Sequence, residues 1–323
     1  MKFIFAKSLL LPLVSLLLAQ FAVAASLEAK LDEIRGTITI HRAGLAKPVV
    51  TQNAASDHRP YLHPITGPDG KGVFTQYSPG HHKHQTGIYW GFTRVNGRDF
   101  FHNPKGDYWN RKDIRVIEAQ GDSVKWETVY DLLDADGNAV LTEVQRWSMT
   151  SENDLHVLNL EWIGTGQTDV TISKYPYGGL FVRMPWKNGI KGEALNAALD
   201  KNRRADGKRA MWLDVGMEIE GRDDWGHIAI FDHDENQGYP QPWRVDGQLG
   251  VGPVRAQLGD WKIAKGKTET ICHQIIIYGG KLNDKKLTDR WKAYTGQRGT
   301  YALWQLAKRA GRDAKFLTPQ EAV

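Results

Sequence analysis

The chain has 323 residues, with 42 Lys+Arg against 37 Asp+Glu, 41% hydrophobic residues and 24% charged ones. That charge is too balanced, and that apolar share too ordinary, for a disordered tail or a polybasic nucleic-acid module. A single cysteine, Cys272, excludes a disulfide framework and a paired Cys-x-x-Cys zinc site.

In chain order, residues 1–24 read as an export signal. Lys2 and Lys7 give a basic start, Ser8 to Leu18 is an apolar run broken only by Pro12, and Ala22-Val23-Ala24 is the small-x-small pattern that a signal peptidase cuts. The run is about 11 residues, short of the ~20 needed to span a bilayer, so a retained anchor is the weaker alternative. Cleavage after Ala24 leaves a soluble periplasmic or secreted protein, and losing Lys2 and Lys7 takes the net charge from +5 to +3. No later stretch is long and apolar enough to cross a membrane.

The remainder, 25–323, reads as one all-β domain. Thr37 to His41 alternates, and Val124 to Tyr130 and Val140 to Met149 flank the turn-rich Asp134-Ala-Asp-Gly-Asn138, which predicts a hairpin. Leu155 to Trp162, Asp169 to Ser173, Gly179 to Met184, His227 to Phe231 and Thr270 to Tyr278 continue the strand rhythm. Helical spacing is clear only at Leu287, Trp291 and Tyr294, which predicts a helical tail over about 284–310, with Tyr301 to Arg309 continuing it. Many strands without interleaved helices predict a large antiparallel β-sandwich. Two segments break the rhythm. Asp57 to Asn110 carries one clear strand, Thr86 to Val95, and Pro185 to Arg209 is polar and suggests a surface insertion or lid.

The densest chemical cluster is His81-His82-Lys83-His84. His82 and His84 project to one side of an extended backbone, where imidazoles can hold a divalent metal or move protons near neutral pH. A metal would need a further carboxylate or histidine that the sequence does not place. The alternative is a loop whose histidines only hydrogen-bond. Arg59, Tyr61 and His63 lie upstream of it. A second cluster, Asp232-His233 followed by Pro242-Trp243, sets a carboxylate and an imidazole at a strand end beside an indole suited to a sugar face. The alternative there is a turn cap and a core tryptophan. In the third, Tyr177 to Arg183, Arg183 alternates with Phe181 and either binds a ligand or pairs with Glu143 or Glu161, the other candidate bases.

Arg59-Pro-Tyr-Leu-His63, Gly87-Ile-Tyr-Trp90-Gly, Val95-Asn-Gly-x-Asp-Phe100, Tyr177 to Arg183, Met211-Trp-Leu-Asp214 and Ile230-Phe-Asp-His233 with Pro242-Trp243 resemble the PmoA-type bacterial family, over residues 35 to 280. Such proteins carry the label "methane oxygenase PmoA". The resemblance implies a galactose-mutarotase-like β-sandwich and a setting in carbohydrate catabolism. The polar positions it carries over are Arg59, His63, His81, His82, His84, Arg183 and Asp232. Where the family reads Pro-Trp-His this chain has Arg244, which weakens any mechanism needing a histidine there. The label itself conflicts with physics, because a membrane oxygenase subunit needs spanning helices.

These observations lead to an exported carbohydrate-active protein acting on a small-molecule sugar or modified glycoside, without a nucleic-acid partner. His81, His82, His84 and Asp232 are the expected acid/base groups. Arg59, His63, Trp90, Tyr177, Arg183, His233 and Trp243 are the expected substrate contacts. The rivals are a non-catalytic sugar binder stacking on Trp90, Trp109 and Trp243, and a metal-dependent hydrolase or oxidase built on His82 and His84.

Overall fold

The computed structural model describes residues 26–80, 82–152 and 154–296; the expected export signal, His81 and the expected Tyr301 to Arg309 continuation lie outside the described residues. Two large antiparallel sheets face each other. The nine-stranded sheet runs in the order Trp243–Val245, Val251–Pro253, Gly179–Val182, Ile88–Gly91, Tyr61–Ile65, Val50–Asn53, Thr37–Arg42, Leu27–Asp32 and Gln120–Gly121. The eight-stranded sheet runs Gly192–Asn196, Trp212–Glu218, Trp225–Asp232, Thr268–Gly280, Leu155–Gly166, Ala139–Ser151, Ser123–Leu133 and Trp109–Glu118. A short ribbon pairs Val170–Ile172 with Trp261–Ile263. The all-β antiparallel sandwich expected from the strand rhythm is the fold observed.

Period-two alternation decides which side chains enter the space between the layers. On Ile88–Gly91, Ile88 and Trp90 point into the core while Tyr89 joins Phe101 and Phe181 on the opposite face. On Gly179–Val182 and the residues after it, Leu180, Val182 and Met184 go inward and Phe181 and Arg183 outward. Trp90 stacks on Trp162 of the other sheet at 4.9 Å with an interplanar angle of 11°, and Phe92 meets Trp162 edge-on at 5.4 Å. Such aromatic pairs add about 0.5–1.5 kcal/mol beyond the area they bury.

Several polar groups in this interior are paired. Trp126 Nε1 donates to Gln52 Oε1 at 3.1 Å, and Tyr130 donates to the Ala55 carbonyl at 2.6 Å. Glu143 accepts from Gln145 and from Trp162 Nε1, both at 2.8 Å. It is a core residue whose carboxyl burial raises to about 7, not a free base facing a ligand.

The hairpin at 134–138 joins Ser123–Leu133 to Ala139–Ser151 as expected. The segment from 57 to 110 holds two short strands, Tyr61–Ile65 and Ile88–Gly91, rather than one from Thr86 to Val95. The 185–209 segment is not only a surface insertion: Gly192–Asn196 forms an edge strand of the eight-stranded sheet. The helix spans Asp284–Thr295, and the Asn283 side chain caps it by accepting from Lys286 N at 2.9 Å. Leu287 and Trp291 pack inward, and Gly296 ends it in the left-handed conformation, at φ 75°.

Candidate functional site

The outward face of the nine-stranded sheet carries a cavity of about 550 Å³. Its floor is Phe181 from the strand and Phe101 from the loop above Tyr89. Its walls come from four loops, which bring His82, His84 and Gln85, then His102, then Tyr177, then Asp246 to Gln248, with Trp186 and Arg244 at the rim. Residues far apart in the chain therefore meet at one place on a rigid sheet.

Asp99 organises the reactive part. Its Oδ1 accepts from the backbone N–H groups of Phe101 and His102, at 2.9 and 3.0 Å, and its Oδ2 lies 2.7 Å from His102 Nδ1. A carboxylate only accepts, so His102 Nδ1 carries the proton and Nε2 is the acceptor of the neutral ring. That Nε2 is 3.4 Å from the Tyr177 hydroxyl, which is 3.4 Å from the Tyr175 hydroxyl. Burial and the Tyr175 contact push Tyr177 well above the usual tyrosine range, so it stays protonated and can donate.

His84 meets His102 edge-on, with ring centroids 4.5 Å apart, and His82 at 5.7 Å. Burial, then the neighbouring His102, Arg59 and His82, lower His84 to about 3. It is neutral throughout the physiological range and offers hydrogen bonds rather than charge.

Arg183 and Arg59 hold this architecture from below rather than reaching a ligand. Arg183 is fully buried; it donates to Gln85 Oε1, to the Gln248 carbonyl at 2.7 Å and to Asp246 Oδ2 at 2.7 Å. Its partner is Asp246, not the expected Glu143 or Glu161; Glu161 pairs with Arg146 on the outward face of the other sheet. Arg59, also fully buried, donates to the carbonyls of Phe101 and His84 at 2.7 and 2.6 Å and lies 3.8 Å over the Tyr89 ring. Burial lowers it to about 10, so it remains charged. Both arginines tie the histidine loop down and neither lines the cavity.

Of the expected acid/base groups, His82 and His84 line the cavity, and His81 lies outside the described residues. Asp232 does not join them. It sits buried on the eight-stranded sheet, accepting from Asn236 Nδ2 and Gln241 N at 2.7 Å each, with its carboxyl raised to about 7 by burial. It fastens the turn that follows its strand. His233 packs edge-on against Tyr294 of the helix at 4.9 Å, away from the cavity. His63 shares the outward face but stacks on Tyr77 at 5.9 Å and contacts Thr75 Oγ1 at 2.9 Å.

The expected stacking platform is also corrected. Trp90, Trp109 and Trp243 are all buried in the core, at 2%, 2% and 0% exposure, so none can cover a sugar ring. Trp186 is the tryptophan that lines the cavity. Tyr177 does line the cavity. Asp99, His102, Trp186 and Asp246 are the residues that sequence reading missed. The one available signal was Arg98-Asp-Phe-Phe-His102, in which an aspartate three residues before a histidine can cap the turn and reach its ring. Among the described residues, no group of three or more His, Cys, Asp or Glu side chains is placed to hold a metal.

These observations define an all-β sandwich with a histidine- and aromatic-lined cavity on one outer face. The chain belongs to DUF6807, a family of unknown function, which matches residues 38–292. That overturns the PmoA-type resemblance, since the matching family is this one. Among the described residues no helix is long and apolar enough to cross a membrane. No curated protein sequence matches significantly.

Among solved structures, the chain is similar to the GH36 α-galactosidase AgaB of Geobacillus stearothermophilus, with 9% identity and a TM-score of 0.41, over 77% of this chain but 40% of that one. The chain thus spans well under half of that enzyme. It is similar to galactose 1-epimerase from Lactobacillus acidophilus at 8% identity and a TM-score of 0.40, over 81% and 100% of the two chains. A galactose mutarotase related enzyme of the same organism gives 10% identity and a TM-score of 0.35, over 79% and 100%. These likenesses concern sheet architecture and carry no residue role to this chain.

Proposed function

We propose that the chain is an exported carbohydrate-active protein that binds a small sugar in the outer-face cavity and moves protons at its oxygen atoms through His102. The observation that carries this reading is the Asp99–His102–Tyr177 series opening into a cavity with an indole on its rim. Nε2 of neutral His102 accepts the proton of a sugar hydroxyl. The imidazolium so formed is stabilised by Asp99, and the Tyr177 hydroxyl donates to a neighbouring sugar oxygen. Proton transfer by positioned groups contributes roughly 10²–10⁴-fold, and it is a step shared by isomerisation, elimination and hydrolysis of sugars. Phe181, Phe101 and Trp186 offer apolar surface to the C–H face of a ring while Gln85, Arg244 and the histidines serve its hydroxyls.

Export is part of the proposal and rests on Lys2, Lys7, the apolar run and Ala22-Val23-Ala24. Mass analysis of the protein recovered outside the cytoplasm is expected to show a chain starting at Ala25.

A non-catalytic binder is the second reading. It is favoured by the neutrality of His84 and by the commitment of Asp246 to Arg183, which leave His102 without a second acid. Incubation with a panel of neutral sugars and glycosides, followed by proton NMR, separates the two. Turnover that is lost in His102→Ala and Asp99→Asn supports the enzyme. Binding without turnover across the panel favours the binder, and turnover that survives both variants refutes the role of His102.

A further inference from the structure

A second cavity, of about 560 Å³, adjoins the first and shares Arg244 with it. Tyr175 lines the second cavity and Tyr177 the first; their rings meet edge-on at 4.8 Å and their hydroxyls are 3.4 Å apart. The two tyrosines therefore stand where the two cavities adjoin. We propose that they form a single cleft for an extended ligand, and that the unit occupying the second cavity carries an anionic group, as in a uronate-containing oligosaccharide. This rests on the sugar reading of the first cavity and assigns the substrate class.

The charge of the second cavity supports the assignment. Arg94, Lys174 and Arg244 line it against one carboxylate, Asp206, and that carboxylate is engaged already: Arg244 Nη1 lies 3.0 and 3.1 Å from its two oxygens, and Val245 N donates to it at 2.9 Å. Asp260 nearby accepts the backbone N–H of Lys174 at 2.8 Å but does not line the cavity. Arg94 and Lys174 are exposed, and no ion pair to either is formed by a carboxylate among the described residues.

The backbone at Arg94 gives an independent indication. Its φ is 54°, in the left-handed region that an arginine rarely adopts. In that conformation its guanidinium stands 4.6 Å over the Tyr175 ring, at the mouth of the cavity. A cation held over an aromatic ring has lost part of its freedom before any ligand arrives, and its outer N–H groups stay available for a carboxylate. Gln257, anchored by donating to the Pro176 carbonyl at 2.8 Å, adds a neutral polar group on the same wall.

Binding is measured by calorimetry at low salt with trigalacturonate, trimannuronate and the methyl ester of each, which keeps the size and removes the charge. The variants are Arg94→Asn, chosen because asparagine tolerates the left-handed region, and Lys174→Ala, singly and together. The expected result is that at least one acid binds about tenfold more tightly than its ester. The advantage should disappear in the double variant and at high salt, while ester affinity stays the same. Equal affinity for acid and ester, an advantage that survives the double variant, or no binding of any trimer overturns the proposal. Failure of the underlying sugar reading shows separately, as small neutral sugars whose binding does not respond to Trp186→Ala.

Discussion

Replacing Arg183 by methionine tests how the cavity is held together. The guanidinium is fully buried and connects two segments, the histidine loop through Gln85 and the 246–250 turn through Gln248 and Asp246, whose side chain is only 13% exposed. Removing one partner of a buried ion pair costs about 3–5 kcal/mol, because the other charge is left without compensation. Asp246 keeps the N–H groups of Gln248 and Gly250, each donating to its Oδ1 at 2.8 Å, so the lower end of that range, about 3 kcal/mol, is expected. Urea unfolding followed by tryptophan fluorescence measures it as a lower midpoint at unchanged slope. Asp246→Asn in the methionine background removes the stranded charge, so the double variant should be less destabilised than the sum of the singles, by about 1–2 kcal/mol. A loss under about 1 kcal/mol, or strict additivity, would refute the idea that a buried ion pair clamps the histidine loop to the 246–250 turn.

Further outcomes follow from the same geometry. Trp186→Ala is expected to weaken sugar binding about tenfold with little change in melting temperature, since the indole is half-buried at a rim; titration calorimetry and a thermal scan check the two halves. Trp90→Ala should do the reverse, destabilising by about 3–5 kcal/mol through loss of the stack on Trp162, as read by chemical denaturation. His156 is fully buried and lowered to about 3 from its ordinary 6.5, so its favourable contribution is present above pH 6.5 and lost as pH falls toward 3. The stability deficit of His156→Asn relative to the natural chain should therefore shrink by roughly 2–3 kcal/mol between pH 7 and pH 4, and a constant deficit would refute the buried neutral imidazole.

Sequence reading recovered much of the fold because strands with one inward face alternate visibly. Phe181 and Arg183, two apart in the chain, share the outward face. Trp212–Glu218 was not seen: six of its seven residues are buried, so it shows no alternation to read. The tryptophans misled for a related reason. Residue type makes an indole look like a sugar platform, but Trp90 shares its parity with Ile88, and that parity sends it into the core.

The site was legible in its loops and illegible in its pairings. Of the histidine loop, His82 and His84 line the cavity. The partner of Arg183, Asp246, is 63 residues away and is joined only by folding. Asp232 looked like a catalytic group at the end of a strand, yet Asn236, Gln241 and the helix beside it close that end against ligand. The motif fragments read as PmoA-type fall inside the region that matches DUF6807.

Whether the outer-face cavity is the ligand site is tested most directly by thermal scans of the natural chain, His102→Ala and Trp186→Ala against one library of neutral and acidic sugars. A ligand that binds the folded state raises the melting temperature by mass action. At least one sugar should stabilise the natural chain and lose most of that effect in both variants. Stabilisation of equal size in all three proteins would place the ligand elsewhere on the molecule.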